Sequence, residues 1–269
     1  MSTNTKTLKL RIKSVDSTLH LTKAMGLVAS SKMRKANVAM QASRQYEQAL
    51  QNIVNLLSSS TECDRSPYMR QYVDGGKTCL IVIAGDRGLA GGYNANIFRT
   101  VRDFGAAARI IPIGKRACER YGKDVVSSEK FYAADAFKLA KQLCEQFKNG
   151  EIDRIGIVST NYVSMMTQTP EIKWVLPLVK SKGSNSSSAV FEPDELTILD
   201  MAVLEYVSGM IVACVRESFA CEVAARRMAM DSAGKNAQQM IDDLQLEYNR
   251  ARQGAITQEI TEIVAGAGD

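Results

Sequence analysis

The chain has 269 residues, 45% hydrophobic and 23% charged, a balance that excludes disordered and collagen-like classes; only 6% are aromatic, with the single tryptophan Trp174. Six scattered cysteines without a CxxC pair and one histidine exclude zinc-ligand spacing, and they read as reduced thiols acting as small apolar residues. The net charge is +5, yet nine basic side chains stand against two acidic ones in residues 1–50, and six against fourteen in residues 192–269. Ends of opposite sign are expected to lie alongside one another.

No run approaches the roughly 18 apolar residues of a bilayer-spanning helix. Met1 to Lys6 is polar, unlike a signal peptide. These features predict a soluble, non-secreted protein, one that can still sit against a membrane through a partner.

Residues 4–58 read as one long helix. Leu8, Ile12, Val15 and Leu19 step by three and four, the stripe weakens at Thr22 and Gly26, and it resumes with Ala29, Met33, Ala36 and Met40. Residues 61–76 read as a linker. In the next region the period changes. TCLIVIA at 78–84 is the continuous apolar run of a strand buried on both faces. Helix is predicted over 94–108, strand over 109–113 (RIIPI), a short helix over 115–121, a third strand beginning at Val125 and Val126, helix over 134–148 and strand over 154–159 (RIGIVS). Strands alternating with helices imply a mostly parallel sheet. Residues 162–179, where Pro170 and Pro177 limit pairing, suit an edge hairpin.

The Ser-, Gly- and Asn-rich stretch 180–192 reads as a mobile loop. Pro193 and Asp194 then start a second long helix, 194–266, with Val203, Tyr206, Met210 and Ala213, and later Ala237, Ile241, Leu244, Tyr248, Ala251 and Ala255, forming a heptad-like seam. Gly209, Gly234 and Gly254 each cost this helix about 1 kcal/mol against alanine. The last four residues are expected to fray. Helices of about 80 and 110 Å with one apolar stripe need a partner for it, and each is the nearest candidate for the other. The expected fold class is α/β: a long antiparallel coiled coil of the terminal helices (1–60 and 193–269) around a Rossmann-like central domain of mostly parallel sheet with its linkers (61–192).

Candidate sites are sparse. Gly85-Asp86-Arg87-Gly88-Leu89-Ala90-Gly91-Gly92 follows the first strand, where nucleotide folds place phosphate loops. It lacks both Gly-Lys-Ser/Thr and GxGxxG, and reads as a tight turn with Asn94 capping the next helix. The basic run Lys32, Arg34 and Lys35 suits a solvated face or an acidic partner better than nucleic acid, given the few aromatics and the acidic second helix. His20 has no catalytic companion in sequence, and the adjacent Asp242 and Asp243 point to different faces. Methionines such as Met25, Met33, Met210 and Met240 read as coiled-coil core, a few as an adaptable contact surface.

LTKAMGLVASSKMRKA at 21–36, GDRGLAGGYN at 85–94 and IDDLQLEYNRARQGAITQEITEIV at 241–264 resemble the gamma subunits of F-type ATP synthases in order, spacing and length. The resemblance implies a rotor in the F1 sector with no catalytic, cofactor or metal site of its own. It would turn inside an alpha3–beta3 hexamer, with its foot on the membrane c-ring beside the epsilon subunit, one copy per complex. It would bind no nucleic acid and lie at the cytoplasmic face of a bacterial plasma membrane. By position, Met25 matches the methionine facing the beta-subunit lever, Arg252 and Gln253 the polar pair meeting the beta catch loop, and Arg226 an arginine of the coupling region adjoined by Thr257 and Gln258. Gly26, Arg227, Ala90 and the compact 180–192 loop depart from the family pattern. The rival readings are a nucleotide-binding enzyme and a nucleic-acid-binding coiled coil.

Overall fold

The computed structural model describes residues 2–105, 108–180 and 191–266, with side chains from residue 5 onward. The predicted loop at 180–192 and the predicted fraying at the C-terminus fall largely outside them. The chain divides into two compact units, 1–30 with 226–269, and 31–225. Helices α1 (Ser2–Ser58) and α5 (Glu195–Gly266) contribute to both.

Unit 31–225 is a four-stranded sheet clad with helices. Strands β1 (Thr78–Ile83), β2 (Arg109–Ile113), β3 (Arg154–Tyr162) and β4 (Gln168–Leu176) lie in the order β2-β1-β3-β4. β1 is parallel to β2 and β3, and β4 is antiparallel to β3. The central position of β1 explains its unbroken apolar run. Cys79, Ile81 and Ile83 pack with α4 (Ala133–Lys148), α1 and α5, whereas Leu80, Val82 and Ala84 pack with α2 (Tyr93–Phe104) and α3 (Lys115–Tyr121). The six cysteines are free and buried, as small apolar residues would be.

The antiparallel helix pairing in this unit is read from contacts that run in opposite order along the two chains: Gln51 with Tyr206 (2.9 Å), Arg44 with Glu217 (2.5 Å), and Ala36 and Met40 with Ala220. Gly209 marks the tightest approach. A Cβ there would stand 2.3 Å from Leu50 Cδ1 and 3.1 Å from Tyr46 Cε1, so a side chain here would have to displace the end of Leu50. At the start of α5, Asp194 accepts hydrogen bonds from Thr197 N (2.8 Å) and Thr197 Oγ1 (2.7 Å), the cap expected there.

Several expectations are corrected. Val125 and Val126 form no strand; Gly114 N donates to Val126 O (2.9 Å), and the segment otherwise runs irregularly past α3. Gly114 sits at φ +98, and a Cβ there would meet Ala84 O at 1.9 Å, so only glycine lets the β2–α3 turn close on β1. Helix α2 ends at Phe104 rather than near 108, because Gly105 turns out at φ +109. The stretch 61–76 is more than a linker: two 3-10 turns bury Cys63 and Tyr68 in the main core, and Tyr68 stacks on Phe147 at 5.9 Å. Helix α5 does contain an 18-residue window of mean hydropathy 1.9, apolar enough to pass for a membrane span. Of that window 61% is buried, which is the signature of a core helix.

These contacts separate the glycines of α5. Gly209→Ala is expected to destabilise the chain by about 1 kcal/mol, overpacking outweighing the gain in helix propensity. Gly254, with open space around its Cβ position, should gain about 1 kcal/mol on change to alanine. Urea unfolding followed by circular dichroism checks both, and equal shifts in the two variants would contradict the packing at Gly209.

Candidate functional site

The turn after β1 is tied down by its own side chains. Asn94 does not cap α2; its Oδ1 accepts from Gly85 N (2.9 Å) and its Nδ2 donates to Arg87 O (3.3 Å), while Gly92 takes the cap position without a side-chain bond. Asp86 accepts from Lys115 N (3.0 Å), Ser127 Oγ (2.5 Å), Ser128 N (2.9 Å) and Glu129 N (3.1 Å). Burial pushes the Asp86 carboxyl up, but the bonds from Ser127, Lys115, Ser128 and Glu129 outweigh it and hold the group below its ordinary value. The ionised carboxylate thus ties the turn after β1 to the start of α3 and to residues 127–129, and the turn acts as a strut.

The six side chains expected to meet partners, Met25, Arg226, Arg252, Gln253, Thr257 and Gln258, all lie in unit 1–30 with 226–269. There α1 and α5 again run antiparallel. The Cβ position of Gly26 is 3.8 Å from Met230 Cβ, and that of Gly234 is 3.5 Å from Thr22 Oγ1 and 3.9 Å from Leu19 Cδ1. Leu19, Thr22, Ala29, Met230, Ala237 and Leu244 are buried. Thr22 is kept satisfied at this depth because its hydroxyl donates to Leu19 O at 2.9 Å. Where Gly26 and Gly234 carry no side chain, a groove of about 600 Å³ opens beside Leu19, Met230 and Arg227. Gly26 and Arg227, two of the departures from the family pattern, therefore line one feature.

The six residues do not converge on one spot. Met25 and Arg226 are half-buried, whereas Arg252, Gln253, Thr257 and Gln258 are exposed, about 40 Å further along α5 from Arg226. Thr257 Oγ1 donates to Gln253 O (3.0 Å) and Gln258 Nε2 to Glu262 Oε1 (2.9 Å), bonds within the helix that leave the outward faces open. Exposed apolar residues lie near them on both helices. Beyond Leu244 the seam residues Tyr248, Ala251 and Ala255 are only half-buried, and beside them Ile256, Ile260 and Ile263 are 45, 56 and 69% exposed. Their spacing of four and three puts them on one stripe with Arg252. On α1, Leu10, Leu21 and Val28 are 62, 60 and 57% exposed, on the side of the helix opposite Leu19. That second stripe was legible from the spacings of 11 and 7.

A family profile described as ATP synthase matches residues 4–268. The ATP synthase gamma chain of Ruminococcus albus is 39% identical, over 97% of this chain and 96% of its own length. That of Nitrosococcus oceani is 35% identical, over 97% of this chain and 98% of its own. Among solved structures, a chain of the Euglena gracilis mitochondrial ATP synthase rotor in rotational state 1 superposes with a TM-score of 0.67 at 16% identity, covering 95% of this chain and all of that one. A chain of the same organism's OSCP/F1/c-ring structure in rotational state 3 gives 0.71 at 17% identity, covering 99% and 94%. At these identities the structural likeness shows the fold.

The Asp86 strut has a pH signature. Its lowered folded pKa means that its stabilisation is complete above the unfolded value of about 4 and is lost as pH falls through the folded value. Asp86→Asn should cost about 1–3 kcal/mol at neutral pH. The gap from wild type should shrink as the pH is lowered below about 4. Urea midpoints measured from pH 7 to 3 test this, and a gap that grows on acidification would contradict it.

Proposed function

The chain belongs to the ATP synthase gamma-chain family, and on that premise we propose that it is the central-stalk rotor of an F-type ATP synthase, working by mechanical coupling and carrying out no chemistry itself. The observation that carries this reading is the exposed apolar stripe of Ile256, Ile260 and Ile263 next to Arg252, on a helix whose inward seam is fully buried up to Leu244 and only half-buried at Tyr248, Ala251 and Ala255. Such a surface needs a sleeve, and apolar contact is non-directional enough for the helix to turn inside one. The sleeve is the alpha3–beta3 hexamer, whose beta subunits hold the catalytic sites. The sheet-bearing unit is the foot, resting on the c-ring beside the epsilon subunit. One copy serves each complex, peripheral to the membrane, at the cytoplasmic face of the plasma membrane in a bacterial cell.

In this role Met25 faces the beta lever, Arg252 and Gln253 reach the beta catch loop, and Arg226 with Thr257 and Gln258 serves the coupling region. Arginine–carboxylate contacts at those places are directional yet breakable, as each passing beta subunit requires. Differential contact with the three beta subunits shifts each toward a different conformation as the shaft turns.

Reconstitution tests the whole reading. The chain added to alpha and beta subunits should restore rotation driven by ATP hydrolysis, while the chain alone binds neither nucleotide nor nucleic acid. Saturable nucleotide binding that is lost on altering Gly91 or Gly92 would overturn it in favour of an enzyme. Met25→Lys, which places an ammonium where a half-buried thioether sits, should lower proton pumping in membrane vesicles more than it lowers hydrolysis. Equal losses of the two would remove Met25 from the contact.

A further inference from the structure

Within unit 31–225, interlocked apolar packing, closest where Gly209 meets Leu50 and Tyr46, holds α5 to α1 and to the sheet. A polar seam between residues 216 and 221 of α5 adds a directional constraint to that packing. Glu217 is the centre of it: its side chain is only 3% exposed, yet it is ionised, because three different elements surround it. Arg44 of α1 donates to Glu217 Oε1 at 2.5 Å, Tyr162 N at the end of β3 donates to the same oxygen at 3.0 Å, and Lys173 Nζ of β4 reaches Oε2 at 3.4 Å. Arg44 also donates to Tyr162 O (2.9 Å), closing a ring through helix, strand and helix. Lys173 is shared with Glu47 of α1 at 3.6 Å.

The neighbouring residues extend the seam. Arg216 donates to Ser43 Oγ (2.9 Å), Ser218 Oγ accepts from Thr160 N (3.4 Å), Ser218 O accepts from Tyr93 OH of α2 (3.0 Å), and Cys221 Sγ donates to Thr160 O (3.4 Å). Residues 159–162 of β3 run past the last pairing with β1, so the strand has a free side there to lay against α5. Buried charge-assisted bonds of this kind are short and directional, and a displacement of α5 along or about its axis breaks several at once.

We propose that Glu217 is a torque clamp: it locks α5 to α1, to the end of β3 and to the body of β4, so that rotation imposed on the sheet domain is delivered to the long helices without slip. The inference rests on the rotor reading above and assigns to Glu217, Arg44 and Lys173 the stiffness that reading requires. These are positioning residues, distant in role from those that touch the beta subunits.

The test is the torsional stiffness of the assembled complex. All six native cysteines are buried, so Lys123→Cys on the surface of the sheet domain gives a selective site for a bead. With the alpha–beta hexamer fixed and the rotor paused, the angular spread of the bead reports the compliance between foot and hexamer. Glu217→Gln should widen that spread and lower the number of protons pumped per ATP hydrolysed, with hydrolysis itself little changed. Arg44→Met, at a partly exposed position that leaves Glu217 held by Tyr162 N and Lys173, should widen the spread by less, and it decides the matter if Glu217→Gln does not assemble. An unchanged spread in the assembled variants overturns the clamp. A wild-type rotor that fails to turn would overturn the rotor reading instead, so the two failures are distinguishable.

Discussion

A helix of 72 residues with an apolar seam cannot stand alone in water, and the pairing of that seam with the first helix is the constraint on which the structure depends. Small residues set how closely the pair approaches. In the sheet-bearing unit Gly209 admits Leu50 and Tyr46, and Ala36 and Ala220 meet beside Met40. In the other unit Gly26 and Gly234 lie against Met230 and Thr22. Glycine weakens a helix as a helix, but here it lets dispersion and burial act over short distances between two of them.

Two kinds of interaction divide the work. Apolar burial holds helices to helices and to both faces of the sheet, giving adhesion without direction. Charged and hydrogen-bonded groups then remove the remaining freedom at a few points: Asp86 fastens the loop after β1 to the segment after α3, and Glu217 fastens α5 to α1, β3 and β4. The Glu217 carboxyl is pushed up by burial and more than restored by Arg44, Tyr162 N and Lys173, so it lies below its ordinary value and stays charged where a charge can be gripped. The exposed stripe of Ile256, Ile260 and Ile263 shows the opposite chemistry, apolar and largely uncovered by the described residues. In the proposed role that contrast is functional: stiffness inside the rotor, low directional resistance at its bearing.

Period carried most of the fold into the sequence. Spacings of three and four marked both long helices, and the run at 78–84 marked a strand with helices on both sides, since only such a strand has no polar face. Features that depend on a distant neighbour were not legible. Val125 and Val126 have strand chemistry but face α3 without a strand to pair with, and Asn94 bonds back to Gly85 rather than forward to a helix amide. Gly209 reads as a flaw until Leu50 is seen beside it. The charge asymmetry between the ends predicted their juxtaposition, yet the seam is mainly apolar, with Arg44–Glu217 an ion pair that crosses it. For the residues proposed to meet partners, position in a family motif gave the names, while the exposure of the apolar residues beside Arg252 depends on where burial along α5 falls off.

The pairing of the terminal helices is tested most directly by a covalent bond across it. The Cβ position of Gly26 lies 3.8 Å from Met230 Cβ, within the range a disulfide spans, and the native cysteines are buried. A chain carrying both Gly26→Cys and Met230→Cys should form an intramolecular disulfide on mild oxidation, seen as a change in gel mobility that reductant reverses, and the cross-linked chain should still support rotation in the assembled complex. Failure of the two thiols to couple, or coupling only between separate chains, would contradict the antiparallel pairing on which the account stands.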